Sequence, residues 1–506
     1  MKIKAIILTI VFAIAAFSGC DLDLAPYDSL TVENLVESEQ GIESLANGCL
    51  MMMKENLSYS EGQEPDVRDR YVRHLYQLTE FPSDNVMIVK STTDNLWYSF
   101  NMQHIPGQLN TTYFWFIAYK IILNANNIIE AVEPGGGTSD RVKHLLGEAY
   151  YYRAMVHFDL ARIFSTPPSH GTDKPGVIIR TGTSEEDNKA RATVGETYDR
   201  IISDLKQAAS LMTTRKASQQ EFIKYASKWS ALALLSRAYL FTGQWDSAAY
   251  YADEVINQGP FELETRDNYV NSFWNSTQSS EAIFIFYFTP EEEHGEASIG
   301  SMYNAGPTGS DGWGEVFPSQ PLMEILTRYR HDVRNELIDT IYKDDGTIRN
   351  YPNTQYQTFY INKFSNQDGL VPLASPQYLR LSEMYLNRAE ANAHLGNDAL
   401  ALEDVNLIRE RAGLSGNELI TQGNLASHGY ASVLEAVLGE RRLELAYEGI
   451  RRDDLLRNKI DLDRSYPTAQ NPDNGEDILP WDDPRQIYFI PQAEIINNTL
   501  CEQNPD

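Results

Sequence analysis

Cysteine is scarce in this chain of 506 residues: three thiols, at Cys20, Cys49 and Cys501, with no Cys/His spacing of a zinc site. Positive charge is scarce too. Forty-two Lys and Arg stand against 71 Asp and Glu, a net charge of −29. That balance argues against nucleic acid as a partner and against electrostatic adhesion to anionic lipid. Long apolar runs are missing after Phe17, since even Trp115 to Leu123 is short and carries Lys120. No later stretch reaches the ~20 apolar residues of a membrane-spanning helix. His-Glu-x-x-His, nucleophile-elbow and phosphate-loop motifs are absent, as are low-complexity tracts. Paired carboxylates at the ~5–9 Å of glycosidases carry no weight alone, because 71 acidic residues make chance pairs unavoidable.

What is present begins at the amino terminus. Lys2 and Lys4 form a basic start, Ala5 to Phe17 is an apolar run of 13 residues, and Phe17-Ser18-Gly19-Cys20 leads into the polar Asp21-Leu22-Asp23. This is the layout of a signal peptide with small residues at the cut. Cysteine directly after the cut resembles a bacterial lipoprotein box, with Phe17 where Leu is more usual. The resemblance implies that residues 1–19 are removed and that Cys20 carries acyl chains, two or more of which hold a protein stably on a membrane. An exported, tethered protein is expected. Cys49 and Cys501 then remain, either as one long-range disulfide or as two buried free thiols.

Periodicity predicts helices over 32–54, 113–132, 139–164, 193–214, 222–242, 246–257, 378–412 and 430–457. Between 259 and 376 the character changes, with a strand expected over 281–288, a Gly/Pro-rich loop over 295–314 and an extended segment over 356–364. Two helical pairs are related: Arg237 to Ala248 can be laid over Glu390 to Ala401, so that Ala238, Gly243 and Ala248 fall on Ala391, Gly396 and Ala401 with a constant offset. Alanine lets antiparallel helices approach closely, and glycine supplies the positive φ that ends the first. This resembles the tetratricopeptide repeat, whose unit is ~34 residues, although the two pairs lie far apart in the chain. The expected fold is mainly α: a tetratricopeptide-like helical-repeat scaffold with large irregular, partly β and loop insertions.

Eight segments in order then resemble the SusD-like (RagB/SusD) outer-membrane lipoproteins of Bacteroidota. They are Cys20 to Asp28, Trp115 to Asn126, Gly147 to Arg162, Ala226 to Leu235, Tyr378 to Glu390, Asn406 to Leu414, Glu440 to Gly449 and Phe489 to Glu494. Departures are small: Ile450 stands where His is commoner, and Asn497 to Cys501 replaces a pattern without cysteine. The resemblance spans nearly the whole chain and implies one SusD-like unit over 20–506, with helical halves at 20–258 and 378–506 around the irregular 259–377. It further implies a non-catalytic surface protein that binds a glycan fragment and caps a SusC-like TonB-dependent transporter. No cofactor or metal is expected, and the membrane is reached only through the lipid.

A sugar-binding surface needs flat aromatic rings beside groups that hydrogen-bond hydroxyls. Two loop regions supply them: Asp84-Asn85 with Asn95 to Asn101, and Ser301 to Gly314. In the resembling family, ligand residues tend to come from these two regions. Trp97, Tyr98, Tyr303 and Trp313 are the expected platforms, with Asn101 and Asn304 as polar partners. Trp115, Trp229 and Trp245 are assigned to the core and Trp274 is left open. The charged run Glu440 to Asp454 reads as structural, with Glu448 and Arg452 spaced to pair and Leu443, Ala446 and Tyr447 facing inward. Glu291 to His294 reads as a solvated loop. Two other readings stay open: a tethered scaffold binding only protein or peptide, and a surface glycan-degrading enzyme.

Overall fold

The computed structural model describes residues 31–58, 66, 68–88, 95–132, 139–184, 188–212, 222–350, 357–465 and 478–505. Cys20, the leader and residues 21–30 lie outside the described residues. In chain order the main helices are α1 (Glu39–Lys54), α2 (Tyr71–Glu80), α3 (Asn95–Asn101), α4 (Leu109–Val132), α5 (Asp140–Phe164), α6 (Val194–Leu211), α7 (Lys228–Phe241), α8 (Trp245–Gln258), α9 (Leu381–His394), α10 (Asp398–Arg411), α11 (Val433–Glu444) and α12 (Arg451–Arg457). Their starts are legible locally. Ser38, Ser139, Thr193, Ser227 and Ser432 each precede a helix and accept a hydrogen bond from its first turn. The helix expected over 32–54 is broken there: Ser38 caps α1 apart from the short Val32–Leu35 turn.

The related helical pairs are α7–α8 and α9–α10. Gly243 (φ +69°) and Gly396 (φ +78°) close α7 and α9 in the left-handed region. Both turns make the same reach-back bond, Gln244 N–H to Tyr239 O at 2.9 Å and Asn397 N–H to Asn392 O at 2.8 Å. Ala238, Ala248, Ala391 and Ala401 are wholly buried. Helix α8 packs directly on α9. Pairs separated by the whole irregular segment are thus neighbours in one helical stack. The architecture is mainly helical and tetratricopeptide-like.

Strands are few and short: β1 (Val86–Ile88), β2 (Ala282–Ile285), β3 (Val316–Pro318), β4 (Ile338–Thr340), β5 (Phe359–Ile361), β6 (Gln377–Arg380), β7 (Leu462–Asp463) and β8 (Ile478–Leu479). They form antiparallel ribbons β1–β3, β2–β6, β4–β5 and β7–β8. Strand β2 is buried on both faces, as its unbroken apolar run requires. The stretch 378–412 is not helical from its start, because Gln377–Arg380 is drawn into pairing with β2. The stretch 430–457 is not one helix either. Tyr447 (φ +71°) and Gly449 (φ +70°) break it, and the buried Glu80 carboxylate accepts their N–H groups at 3.2 and 2.7 Å. Burial pushes Glu80 up to about 7, against those donors.

An ionic cluster fastens the irregular segment to the C-terminal helices. Arg380 is fully buried. It donates to Glu281 at 3.0 Å, to Glu444 at 2.6 Å and to Glu448 at 2.8 Å. Lys363 meets Glu448 at 2.5 Å, Arg411 meets Glu444 at 2.5 Å, and Arg334 joins Asp332 and Glu440, each at 2.6 Å. The expected Glu448–Arg452 pair is therefore not made. Glu448 turns to Arg380 and Lys363, while Arg452 donates to the carbonyls of Arg162 and Gln486. Leu443, Ala446 and Tyr447 are buried as expected.

Cys49 and Cys501 are free and buried. Asn124 Nδ2 donates to Cys49 Sγ at 3.2 Å. Burial pushes the Cys49 thiol up to about 12 and the Cys501 thiol to about 11. Since the thiolate is the reactive form, native protein at pH 8 is expected to resist a thiol reagent at both positions and to react at both once denatured. Rapid native labelling of Cys49 would contradict the packing of α1 on α4.

Candidate ligand-binding site

Ribbon β1–β3 sets the geometry. Its register is Val86 with Pro318, Met87 with Phe317 and Ile88 with Val316. The chain leaving Ile88 toward α3 and the chain arriving at Val316 from the 304–315 loop therefore lie at the same end of one ribbon. Trp313 lies on the second of these segments, whereas residues 89–94, between Ile88 and α3, lie outside the described residues.

The ribbon is clamped to the scaffold by residues just before it. Asp84 accepts from Arg451 at 2.8 and 3.0 Å and meets Arg442 at 3.2 Å. Arg442 also donates to Asn85 Oδ1 at 3.0 Å, and Asn85 Nδ2 donates to Glu80 at 3.2 Å. Burial pushes Asp84 up, but the guanidiniums of Arg451 and Arg442 outweigh it and hold the carboxyl well below its usual range. Asp84 and Asn85 are buried pins and not part of an open polar surface.

The site residues divide. Trp97 stands in α3, and its side chain lies outside the described residues. Tyr98 is half-buried on α3. Asn101 ends that helix before the sharp turn at Met102 (φ +54°). Asn101 Nδ2 has no partner among the described residues. The residue lines a cavity of about 340 Å³ with His104, Arg485 and Phe489. Burial, then the nearby Arg452, lowers His104 to about 3, so its ring is neutral. Nothing in the sequence marked His104 or Arg485, because only the tail folding back beside α3 makes them neighbours.

Tyr303 and Asn304 are turned inward, which corrects their expected exposure. Tyr303 is wholly buried, with its ring 5.4 Å from Phe364 and 6.1 Å from Phe81 between centres. Asn304 Nδ2 donates to Asn362 Oδ1 at 2.5 Å and its Oδ1 accepts from Gly306 N–H at 2.7 Å. Both brace the loop. Trp313 is 39% exposed. Its backbone N–H and that of Gly314 donate to Ser301 O at 2.9 and 2.8 Å. A Cβ on Gly312 would come within 2.5 Å of Asn304 O, and Gly314 sits at φ +54° against Tyr360. Two glycines thus let the loop close on itself and leave the indole outside. Of the other tryptophans, Trp115 is buried, Trp229 and Trp245 are half-buried against the core, and Trp274 donates to Asn362 O at 2.9 Å.

Glu291 to His294 is a capped turn. Glu292 caps Thr289 N–H at 2.9 Å and pairs with Lys54 at 2.5 Å, and Glu293 accepts from Gly295 N–H. Among the described residues no His, Cys, Asp and Glu side chains group as metal ligands, and no helix is long and apolar enough to cross a membrane.

A mainly helical, tetratricopeptide-like scaffold that presents an exposed tryptophan on a closed loop has the build of a binding protein. Comparison with known proteins places it within that class. Residues 22–240 match a family model described as starch-binding and associating with the outer membrane, and residues 327–506 match that of the SusD family. SusD-like protein P2 of Formosa agariphila is 26% identical over 425 residues, covering 78% of this chain and 80% of that protein. A SusD superfamily protein from Bacteroides thetaiotaomicron superposes with a TM-score of 0.79 at 24% identity, over 93% of this chain and 100% of that one. A SusD-like carbohydrate binding protein from Bacteroides vulgatus does so with a TM-score of 0.76 at 22% identity, over 92% of this chain and 97% of that one. The chain belongs to the SusD/RagB family of non-catalytic, outer-membrane-associated carbohydrate-binding proteins. Membership sets aside the glycan-degrading reading.

Proposed function

We propose that this chain is a lipid-anchored cell-surface protein that captures an oligosaccharide and delivers it to a SusC-like TonB-dependent transporter in the outer membrane. The observation that carries the reading is the exposed Trp313, held on a loop that closes on Ser301 and enters β3 opposite Ile88, with α3 packed against β1. In this reading residues 1–19 are the leader, Cys20 takes the lipid, and 20–506 acts as one unit built from 20–258, 259–377 and 378–506. The indole of Trp313 stacks on the apolar face of a sugar ring, a contact that costs little conformational entropy because the loop is already closed. Trp97 and Tyr98 extend the platform and Asn101 meets hydroxyls. Tyr303 and Asn304 act behind the surface by holding the loop.

The test is a glycan array probed with the soluble form that begins after Cys20, beside Trp97→Ala and Trp313→Ala. Binding to one polysaccharide class is expected, weakened about tenfold or more in Trp313→Ala, as for a central aromatic anchor, with the melting temperature unchanged. Silence across the array from folded protein would overturn the glycan reading in favour of a peptide or protein ligand.

A further inference from the structure

We infer that a groove along α4 is a second binding site, for a free amphiphile carrying one apolar chain and one anionic head. It rests on different residues from the oligosaccharide site and stands whether or not that reading holds. The groove has a volume of about 400 Å³ between α4, segment 178–184 and segment 491–497, within the ~300–1,000 Å³ of small-molecule sites. Its floor is Trp115, Phe116, Tyr119, Ile122 and Leu123, closed on one side by Ile178. These positions follow one helical stripe, roughly 12 Å long at 1.5 Å per residue, which suits an extended acyl chain.

The polar groups decide the ligand class. Trp115 Nε1 already donates to Glu494 at 3.2 Å, and Glu494 accepts from Asn498 at 2.7 Å. Tyr119 Oη donates to Ile178 O at 2.9 Å. Asn126 donates to Gly182 O at 3.0 Å and accepts from Arg153 at 2.8 Å. These partners are taken, which leaves a sugar few neutral polar groups, the exposed Ser184 and Asn497, and sets its other hydroxyls against apolar walls, at a cost per group that a hydrocarbon avoids. Two cations remain. Lys120 is exposed, with its ammonium 5.8 Å from the Phe116 ring centre. Among the described residues the Arg180 guanidinium makes only a long hydrogen bond, to Ser184 O at 3.4 Å. Neither has an ion pair among the described residues. Arg153, Arg162, Arg237, Arg334 and Arg380, by contrast, each hold a carboxylate. In a chain of net charge −29, these two cations, without an ion pair among the described residues, outnumber the one carboxylate of the groove lining, Glu494, and are complementary to an anionic head.

The test titrates the chain with monomeric laurate, read by calorimetry and tryptophan fluorescence, beside dodecyltrimethylammonium, dodecyl maltoside and phosphatidylglycerol vesicles. Laurate is expected to saturate one site, and the cationic and sugar-headed amphiphiles to bind at least about tenfold more weakly. Lys120→Glu with Arg180→Glu is expected to weaken laurate by a similar factor, and exposed Lys120→Glu alone by part of it, with circular dichroism unchanged. Trp313→Ala is expected to leave laurate binding intact, which separates this site from the other. Undetectable laurate binding, equal affinity for the cationic amphiphile, full affinity in the double variant, or binding to vesicles alone would each overturn the proposal.

Discussion

Arg380→Ala is expected to cost about 3–5 kcal/mol, as removal of one partner of a buried ion pair does. That is a large share of the ~5–15 kcal/mol that holds an ordinary domain. The guanidinium is the shared partner of Glu281, Glu444 and Glu448 and also donates to Glu444 O at 2.6 Å. Although burial raises Glu444, Arg411, Arg380 and Arg334 hold its carboxyl well below the usual range. Without Arg380 those carboxylates must ionise with less compensation or take up protons. Because Glu281 lies in the irregular segment and Glu444 and Glu448 in the C-terminal half, the damage should appear as detachment of the segment. Urea unfolding with limited proteolysis over 259–377 measures it. Arg380→Lys keeps the charge but not the fork and should recover only part of the loss. A change below about 1 kcal/mol in Arg380→Ala, the size of an exposed pair, would refute the role given to this cluster.

Asp84→Asn is expected to destabilise at neutral pH by a comparable amount, and the loss should fade in acid. Arg451 and Arg442 hold the folded carboxyl well below its usual range despite burial. The folded state therefore binds a proton less readily than the unfolded chain, whose Asp titrates near ~3.9. The stabilisation is fully present above that value and is lost as pH falls through the folded pKa. Melting curves from pH 7 to pH 2 should show wild type and variant converging at the acid end. Deuterium exchange should rise over 84–88 and 95–101 in the variant at pH 7, since Asp84 anchors the ribbon against which α3 packs. Oligosaccharide affinity should fall with it, although Asp84 is buried away from any ligand. Equal stability of the two proteins at pH 7 would return Asp84 to the role of a free polar partner.

The correction at Asp84 shows where sequence reading stops. Asp-Asn ahead of an aromatic segment has the same composition whether it faces a sugar or two arginines hundreds of residues away. Tyr303 and Asn304 are a second instance: a Gly-rich loop with Tyr, Asn and Trp reads as one exposed surface. The close approaches of Gly312 and Gly314 then turn Trp313 outward and leave Tyr303 among Phe81, Phe364 and Tyr447. Glu448 and Arg452 have ideal spacing for a helical pair. The helix stops at Glu444, short of Glu448, and Glu80, from the other half of the chain, collects the N–H groups of Tyr447 and Gly449.

By itself the sequence determined the elements whose causes are local. Caps, glycine stops and the alanine spacing of α7–α8 and α9–α10 depend on backbone geometry within a few residues, and they survive in any surroundings. Family order and acidic charge were likewise readable without coordinates. Only the tertiary structure decided that α8 packs on α9 across the irregular segment, that Arg380 joins carboxylates from two regions, and that β1 pairs with β3. It also decided which of two neighbouring aromatic rings meets water. Those outcomes turn on pairings between residues far apart in the chain, where burial makes an unpaired charge or donor so costly that the distant partner, not the local pattern, sets the conformation.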